Sequence, residues 1–424
     1  MRIAIFSVLA LGLVFGAPLC AHAQDYKQNQ VSIASPPYGS DVSGKTTLSI
    51  VAPGLTKVEI KCWQAGDGFG SDSTVGSVDL DADGKGTIDF PADDYPHGPI
   101  TVRLYGSNPN TKAHDNCYLQ LYNKGGQPWN EGIPKADPPG ADGMSLLFAD
   151  DFKGPLSIGD DSKSIYYDHK PPNGSQDFSG PRAHFTSASS PNNPFSQNDG
   201  YLRIRASESL GSTGLISSVK NDASGVAAAI PCYFECRFIA PNAIGTWPAF
   251  WLMTDYMTDH AAGKQDPPCD ELDIIEAYGG EGPHEPNGNG DPDGSAAYQV
   301  TPHRWNQGKE GNDEADAAYK GMHPPISMKK AGVPSNWFNT FHTYGCKVTE
   351  DTTTYYLDNI EIGSHKTFPM SKKYPFFFMV NLATGGGWPV DLSRYGGNVD
   401  MYVDYVRVYT GDKTNSRTIP SPTP

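Results

Sequence analysis

Positive charge is scarce in this chain of 424 residues. It has 32 Lys and Arg against 48 Asp and Glu, for a formal net charge of −16. Nucleic acids and anionic membrane surfaces are held by basic footprints, so this balance argues against both as partners. Charged residues of either sign make up only 19% of the chain, while Gly and Pro number 46 and 36. That composition disfavours helix bundles and suits many short strands joined by turns. No run after Ala17 is apolar enough to span a bilayer. Cys-x-x-Cys spacing is also absent, so nothing in the thiols suggests a zinc site.

What is present begins with a secretory pattern. Arg2 precedes the apolar run Ile3 to Ala17, and Ala21-His22-Ala23 offers a small-x-small cleavage signal. A signal peptide over 1–23 is expected, with the mature protein secreted to an extracellular or periplasmic space. The run falls short of the about 20 apolar residues of a spanning helix, so no membrane anchor is expected. A monomer is expected. Outside the leader six cysteines remain. Cys62 and Cys117 stand alone in the N-terminal third and are expected to pair. Cys232 and Cys236 fall four apart in one strand, roughly 13 Å along it, too far to bond to each other. The partners of Cys232, Cys236, Cys269 and Cys346 stay open.

The pattern is all-β, in two parts. Residues 24–123 alternate in short runs such as Thr46–Val51, Val58–Trp63 and Ile100–Tyr105, as in a small immunoglobulin-like β-sandwich. Its aromatics Trp63, Phe69 and Tyr105 are expected in a core, which makes the domain a spacer; a ligand patch is the alternative. Asp79-Leu80-Asp81-Ala82-Asp83-Gly84 imitates the start of a calcium loop, but Phe90 stands where that loop needs its final Glu. A hairpin turn is expected there instead. Residues 124–144, rich in Gly and Pro, resemble a linker. The main domain is expected over 145–410, followed by a polar disordered tail over 411–424.

The strongest chemical signal is Glu271-Leu272-Asp273-Ile274-Ile275-Glu276. Strand side chains alternate faces, so Glu271 and Asp273 share one while Leu272 and Ile274 take the other. Glu276 is out of phase unless one extra residue, a β-bulge at Ile274-Ile275, returns it to the acidic face. Three carboxylates would then converge. Unpaired carboxylates among apolar residues are costly, which points to a purpose. Two carboxyl groups flanking a glycosidic bond are the tools of glycoside hydrolysis. A third acid between them separates their pKa values. Upstream, alternation places Trp247, Ala249 and Trp251 on one face and Phe250 and Leu252 on the other. Indoles on an open face would serve as sugar platforms.

These residues resemble glycoside hydrolase family 16 over roughly Leu147 to Tyr409. The Glu-x-Asp-x-x-Glu motif and the Trp-Pro-Ala-Phe-Trp stretch carry the resemblance. So do the ordered segments Phe148–Phe152, Asp199–Leu202, Phe341–Tyr344, Asn381–Pro389 and Tyr402–Tyr409. The resemblance implies a β-jelly-roll sandwich with an open cleft. It implies Glu271 as nucleophile, Glu276 as acid/base and Asp273 as the assisting acid, with no cofactor for catalysis. It implies Trp247, Trp251, His303 and Trp388 as substrate-binding residues. It also implies a structural calcium held by Asp151, the Gly200 carbonyl and Asp404, with Asp151 standing where the family usually carries Glu. The bulged motif and Gly385–Pro389 are most similar to laminarinases. The expected function is therefore a secreted retaining endo-glycosidase cutting β-1,3-glucan by double displacement.

Polar segments over 279–297 and 306–336, with a helix expected near 313–322, are longer than a minimal member needs. They leave a bacterial exopolysaccharide or a mixed-linkage glucan open as substrate. Transglycosylation is a further alternative. So is a glycan-binding protein without catalysis, although such proteins typically lose one of the acids and all three remain here.

Overall fold

The computed structural model describes residues 26–65, 67, 72–172, 177–180, 182–257, 259, 263, 267–280, 297–305, 337–385 and 389–421. The leader, Phe69, the segments over 281–296 and 306–336 and the expected helix at 313–322 lie outside the described residues, as does Trp388. Strands dominate what is described, interrupted by short 3-10 turns. No helix among the described residues is long and apolar enough to cross a membrane.

The N-terminal part forms a three-stranded and a five-stranded sheet. The first orders Ser32–Ser35, Lys45–Val51 and Lys85–Pro91; the second orders Asp41–Val42, Ala113–Asn123, Gly98–Asn108, Lys57–Cys62 and Ser73–Asp79. Period-two alternation explains the packing. Val58 and Ile60 are buried along with Val102 and Leu104, while Lys57, Glu59, Arg103 and Tyr105 face outward. Leu48, Ile50 and Phe90 from the smaller sheet join the same core. Asp81–Gly84 is a tight turn but not the expected hairpin, because the strands it joins, Ser73–Asp79 and Lys85–Pro91, lie in different sheets. Gly84 adopts φ 72°, and the Asp81 side chain accepts the Asp83 and Lys85 amides.

Four further expectations need correction. Cys62 and Cys117 are both buried and free. They occupy strands on opposite sides of Gly98–Asn108, Cys62 opposite Val102 and Cys117 opposite Leu104, so a whole strand separates them. The segment 124–144 is no loose tether. Arg407 Nη1 donates to the Pro134 and Ala136 carbonyls, Tyr409 donates to Asp137, and Gly132 N donates to Asp404. The polar tail is ordered in its first part, because strand Asn398–Arg417 continues past Gly411 and pairs Asp412 and Arg417 with Ala229 and Ala227. Tyr105 lies exposed rather than in the core, whereas Trp63 is buried against Trp129.

The larger part is a sandwich of two curled sheets, joined edgewise where Ala228 pairs with Phe376. The outer sheet runs through Tyr201–Ser207, Asn398–Arg417, Ala227–Ile239 and His342–Val348. The inner sheet orders Leu215–Ser217, Phe376–Thr384, Thr246–Thr254, Cys269–Tyr278 and Ala297–Trp305. Between them Phe234 and Phe250 both meet the ring of Phe378, at 6.3 and 6.2 Å. Leu252, Leu272, Ile274 and Ile275 complete that layer with essentially no exposure. The other face of the inner sheet carries Ala249, Trp251, Met253 and Met379 in a separate cluster. Each strand therefore commits one side to the core and frees the other for chemistry.

The two parts are docked. Thr101 donates to the Phe338 carbonyl at 2.9 Å, Asn339 to Asp72 at 2.8 Å, and Arg394 pairs with Asp115 at 3.0 Å.

Candidate active site

The acidic strand is bulged where its sequence requires it. Phe250 faces Ile275 and Trp251 faces Asp273, so one residue is gained between them. On the other side Asp273 faces Thr301 and Glu276 faces Gln299. Ile274 and Ile275 both stay in the core, since burying two isoleucines outweighs the lost ladder pairing. Glu271 and Glu276 reach the free face with only part of each side chain exposed, and Asp273 between them is buried.

Each acid has a partner from the flanking strands. Trp247 Nε1 donates to Glu276 Oε1 at 3.2 Å. His303 Nε2 lies 3.3 Å from Asp273 Oδ2 and 4.0 Å from Glu271 Oε1. Trp305 Nε1 donates to Glu271 Oε2 at 3.2 Å, and its ring stacks on His303 at 5.2 Å. His303 thus engages the middle acid rather than Glu276. Trp305 was missed by sequence reasoning, yet strand alternation puts it on the same face as His303, which the family resemblance had singled out.

These contacts set the protonation states. Burial pushes Asp273 well above the usual carboxylate range, helped by the negative fields of Glu276 and Glu271 and opposed by His303. Burial also raises Glu276, against the pull of the His303 charge. For His303, burial alone would lower the pKa. Its hydrogen bond to Asp273 and the surrounding carboxylates win and raise it to about 9. Burial thus shifts Asp273 toward its protonated form, while the contact with Asp273 and the neighbouring carboxylates shifts His303 toward the imidazolium.

Trp247 and Trp251 share the face expected, in different surroundings. Trp247 is half-buried between Phe178 and Tyr278, at 5.4 and 5.9 Å. Trp251 is only 5% exposed. Its N–H donates to Asn381 Oδ1 at 2.8 Å, and Phe178 and Lys170 cover its ring. An open platform at Trp251 is therefore not what the fold provides, because residues distant in sequence close over it. Asn381 also donates to the Trp247 carbonyl, so one residue of Phe376–Thr384 holds the strand that carries both indoles.

The family model for glycosyl hydrolases family 16 matches residues 182–407, which include every strand of this site. The chain belongs to that family. Among curated proteins, the family 16 domain is similar to endo-1,3-1,4-beta-glycanase ExsH of Rhizobium meliloti (strain 1021), 30% identical over 233 residues. Endo-1,3-1,4-beta-glycanase EglC of the same strain is 29% identical over 228 residues. Each match covers 52% of this chain and 40% of the relative, so the chain aligns with well under half the length of either. Among solved structures, endo-beta-1,3-glucanase from Pyrococcus furiosus aligns with 66% of this chain and 98% of its own, at 21% identity and TM-score 0.43. Laminarinase from Flavobacterium sp. UMI-01 aligns with 63% of this chain and 100% of its own, at 20% identity and TM-score 0.40.

The calcium expectation for this family 16 domain does not fit the residues present. Asp404 is claimed by Arg237 Nη1 at 2.5 Å and by the Gly132 amide at 2.9 Å. Asp151 pairs with Lys153 Nζ at 3.1 Å, and the Lys153 stem passes beside Gly200. Calcium needs six to eight oxygens and would meet two cations of the chain itself. Near the active site, Glu271, Asp273 and His303 bring ligand-type atoms within 4.8 Å of one another. His303 Nε2 already faces Asp273, and the raised pKa of the ring sets protons in competition with any metal there.

Proposed function

We propose that the chain is a secreted, retaining endo-glycosidase acting on a β-linked polysaccharide with 1,3-bonds. The observation that carries this reading is the bulge, which sets Glu271, Asp273 and Glu276 on one face between two indoles and an imidazolium. In the first step Glu271 attacks the anomeric carbon as the glycosidic bond breaks, and Glu276 gives its proton to the leaving oxygen. The raised pKa of Glu276 suits it to hold that proton near neutral pH. In the second step Glu276 takes a proton from water, whose oxygen attacks the same carbon and releases Glu271. Burial and the fields of Glu276 and Glu271 shift Asp273 toward its neutral form, which limits repulsion along the acidic row.

Laminarin-type β-1,3-glucan is the first substrate to test. Mixed 1,3-1,4-linked glycan is a second reading, favoured by the similarity to two endo-1,3-1,4-beta-glycanases. Product release from laminarin, mixed-linkage glucan, agarose, carrageenan and xyloglucan would be compared for the native protein and Glu271→Gln. Short oligosaccharides that vanish in the variant support the reading. Equal release by both proteins removes Glu271 as nucleophile. Binding without release from any polymer would favour a non-catalytic glycan-binding role, and products longer than the substrate would mean transglycosylation.

A further inference from the structure

The outward face of the five-stranded N-terminal sheet is divided. At one end Tyr118 packs edge-on against Phe338 at 4.7 Å and Thr101 bonds to the Phe338 backbone, so that end is sealed by the family 16 domain. At the other end the sheet is open. Its strands align Asp79, Lys57, Ser107 and His114 in one cross-strand row, and Tyr105 stands one step along on the same face. These residues line a recess of about 490 Å³, within the roughly 300–1,000 Å³ of small-molecule clefts.

Tyr105 is 37% exposed, and its ring lies 6.4 Å from that of His114, tilted by 34°. Neighbouring Asn108 is fixed by its bonds to the Gly54 carbonyl and the Asn110 amide. The charged lining of the recess is Lys57, Lys112 and Asp79, a cationic excess on a chain of net charge −16. Neither lysine forms an ion pair among the described residues. An anionic polymer is repelled by the body of this protein and attracted here. An exposed aromatic ring offers its face to the C–H groups of a pyranose, and two ammonium groups beside it suit carboxylates.

We propose that this recess is a second saccharide site, which holds an acidic polysaccharide by stacking a sugar ring on Tyr105 and pairing its carboxylates with Lys57 and Lys112. The site is separate from the catalytic cleft, and only the choice of polysaccharide as ligand class rests on the function proposed above. Because the sheet is docked on the family 16 domain, a chain held here stays at a fixed distance from the cleft.

The test compares two polymers of one linkage, carboxymethylated curdlan and neutral laminarin, bound to full-length Glu271→Gln so that neither is cut. At about 0.1 M salt, where charges act over about 10 Å, the carboxylated polymer binds about tenfold tighter, and the preference fades at about 1 M. Adding Tyr105→Ala weakens carboxymethylated curdlan about tenfold. Adding Lys57→Gln with Lys112→Gln equalises the two polymers. Laminarin turnover by Tyr105→Ala with native Glu271 stays unchanged, which shows that the variant folds. Equal binding of both polymers by the parent, or unchanged binding after Tyr105→Ala, overturns the proposal. Absence of laminarin turnover in the native protein counts against the proposed function alone, since the binding comparison needs no catalysis; circular dichroism then reports the fold.

Discussion

His303 Nε2 sits 3.3 Å from Asp273 Oδ2 and 4.0 Å from Glu271 Oε1. The contact links two strands that the sequence separates by a long insertion, and it makes one acid and one base depend on each other. The ring is protonated because the carboxylates around it outweigh its burial.

The sign of the pH effect follows. A histidine whose folded pKa rises from 6.5 to about 9 stabilises the fold fully below 6.5, and that contribution is lost as pH rises through about 9. Melting curves of the native protein and His303→Gln at pH 6 and pH 9.5 would read it. The native advantage should be largest at pH 6 and should shrink at pH 9.5. A constant difference across that window would place the charge elsewhere.

Asp273 is buried and its pKa is raised, so its ionised form is penalised in the folded state. Asp273→Asn removes a group whose folded pKa lies above its unfolded one. The contribution of such a group is fully present below its unfolded pKa and is lost as pH rises from there through the folded value. The variant should therefore melt higher than the native protein at alkaline pH while kcat falls about 100-fold or more. Loss of both stability and activity at every pH would mean that Asn cannot keep the contact with His303.

Trp305 donates to Glu271 and stacks on His303. Trp305→Phe keeps the ring and deletes the donor. A hydrogen bond to a charged group contributes about 1.5–3 kcal/mol, so kcat/KM on the cleaved glucan should fall about tenfold or more. Trp247→Phe removes the matching donor from Glu276 and should shift the alkaline limb of the pH–rate profile upward, because that hydrogen bond favours ionised Glu276. An unmoved limb would detach Glu276 from the acid role.

Much of this site was legible in the sequence, and the reason is periodicity. The acidic face, the bulge and the apolar partners of Ile274 and Ile275 follow from a two-residue repeat with one break. His303 and Trp305 belong to the same logic one strand later. What stayed hidden depends on residues far apart in the chain. Phe178 and Lys170 cover Trp251 from a segment about 75 residues upstream. No local pattern announces that the strand through Asp404 continues past Gly411, or that 124–144 packs down on Arg407 and Tyr409. The thiols followed compartment reasoning, which says nothing about strand order.

The cluster of Asp404, Arg237, Asp151 and Lys153 gives the last prediction. Arg237 is 5% exposed, donates to Asp404, and lies over the rings of Trp129 and Phe341. If the guanidinium does structurally what a dication would do, chelation with EDTA should leave the melting temperature unchanged. Added calcium should do nothing either. Arg237→Met should instead cost about 3–5 kcal/mol, because it strands a buried carboxylate. Restoration of that loss by calcium would show that the site takes a metal once its own cation is gone. A fall in melting temperature of the native protein on chelation would mean that a metal displaces the ammonium of Lys153 or the guanidinium of Arg237 in solution.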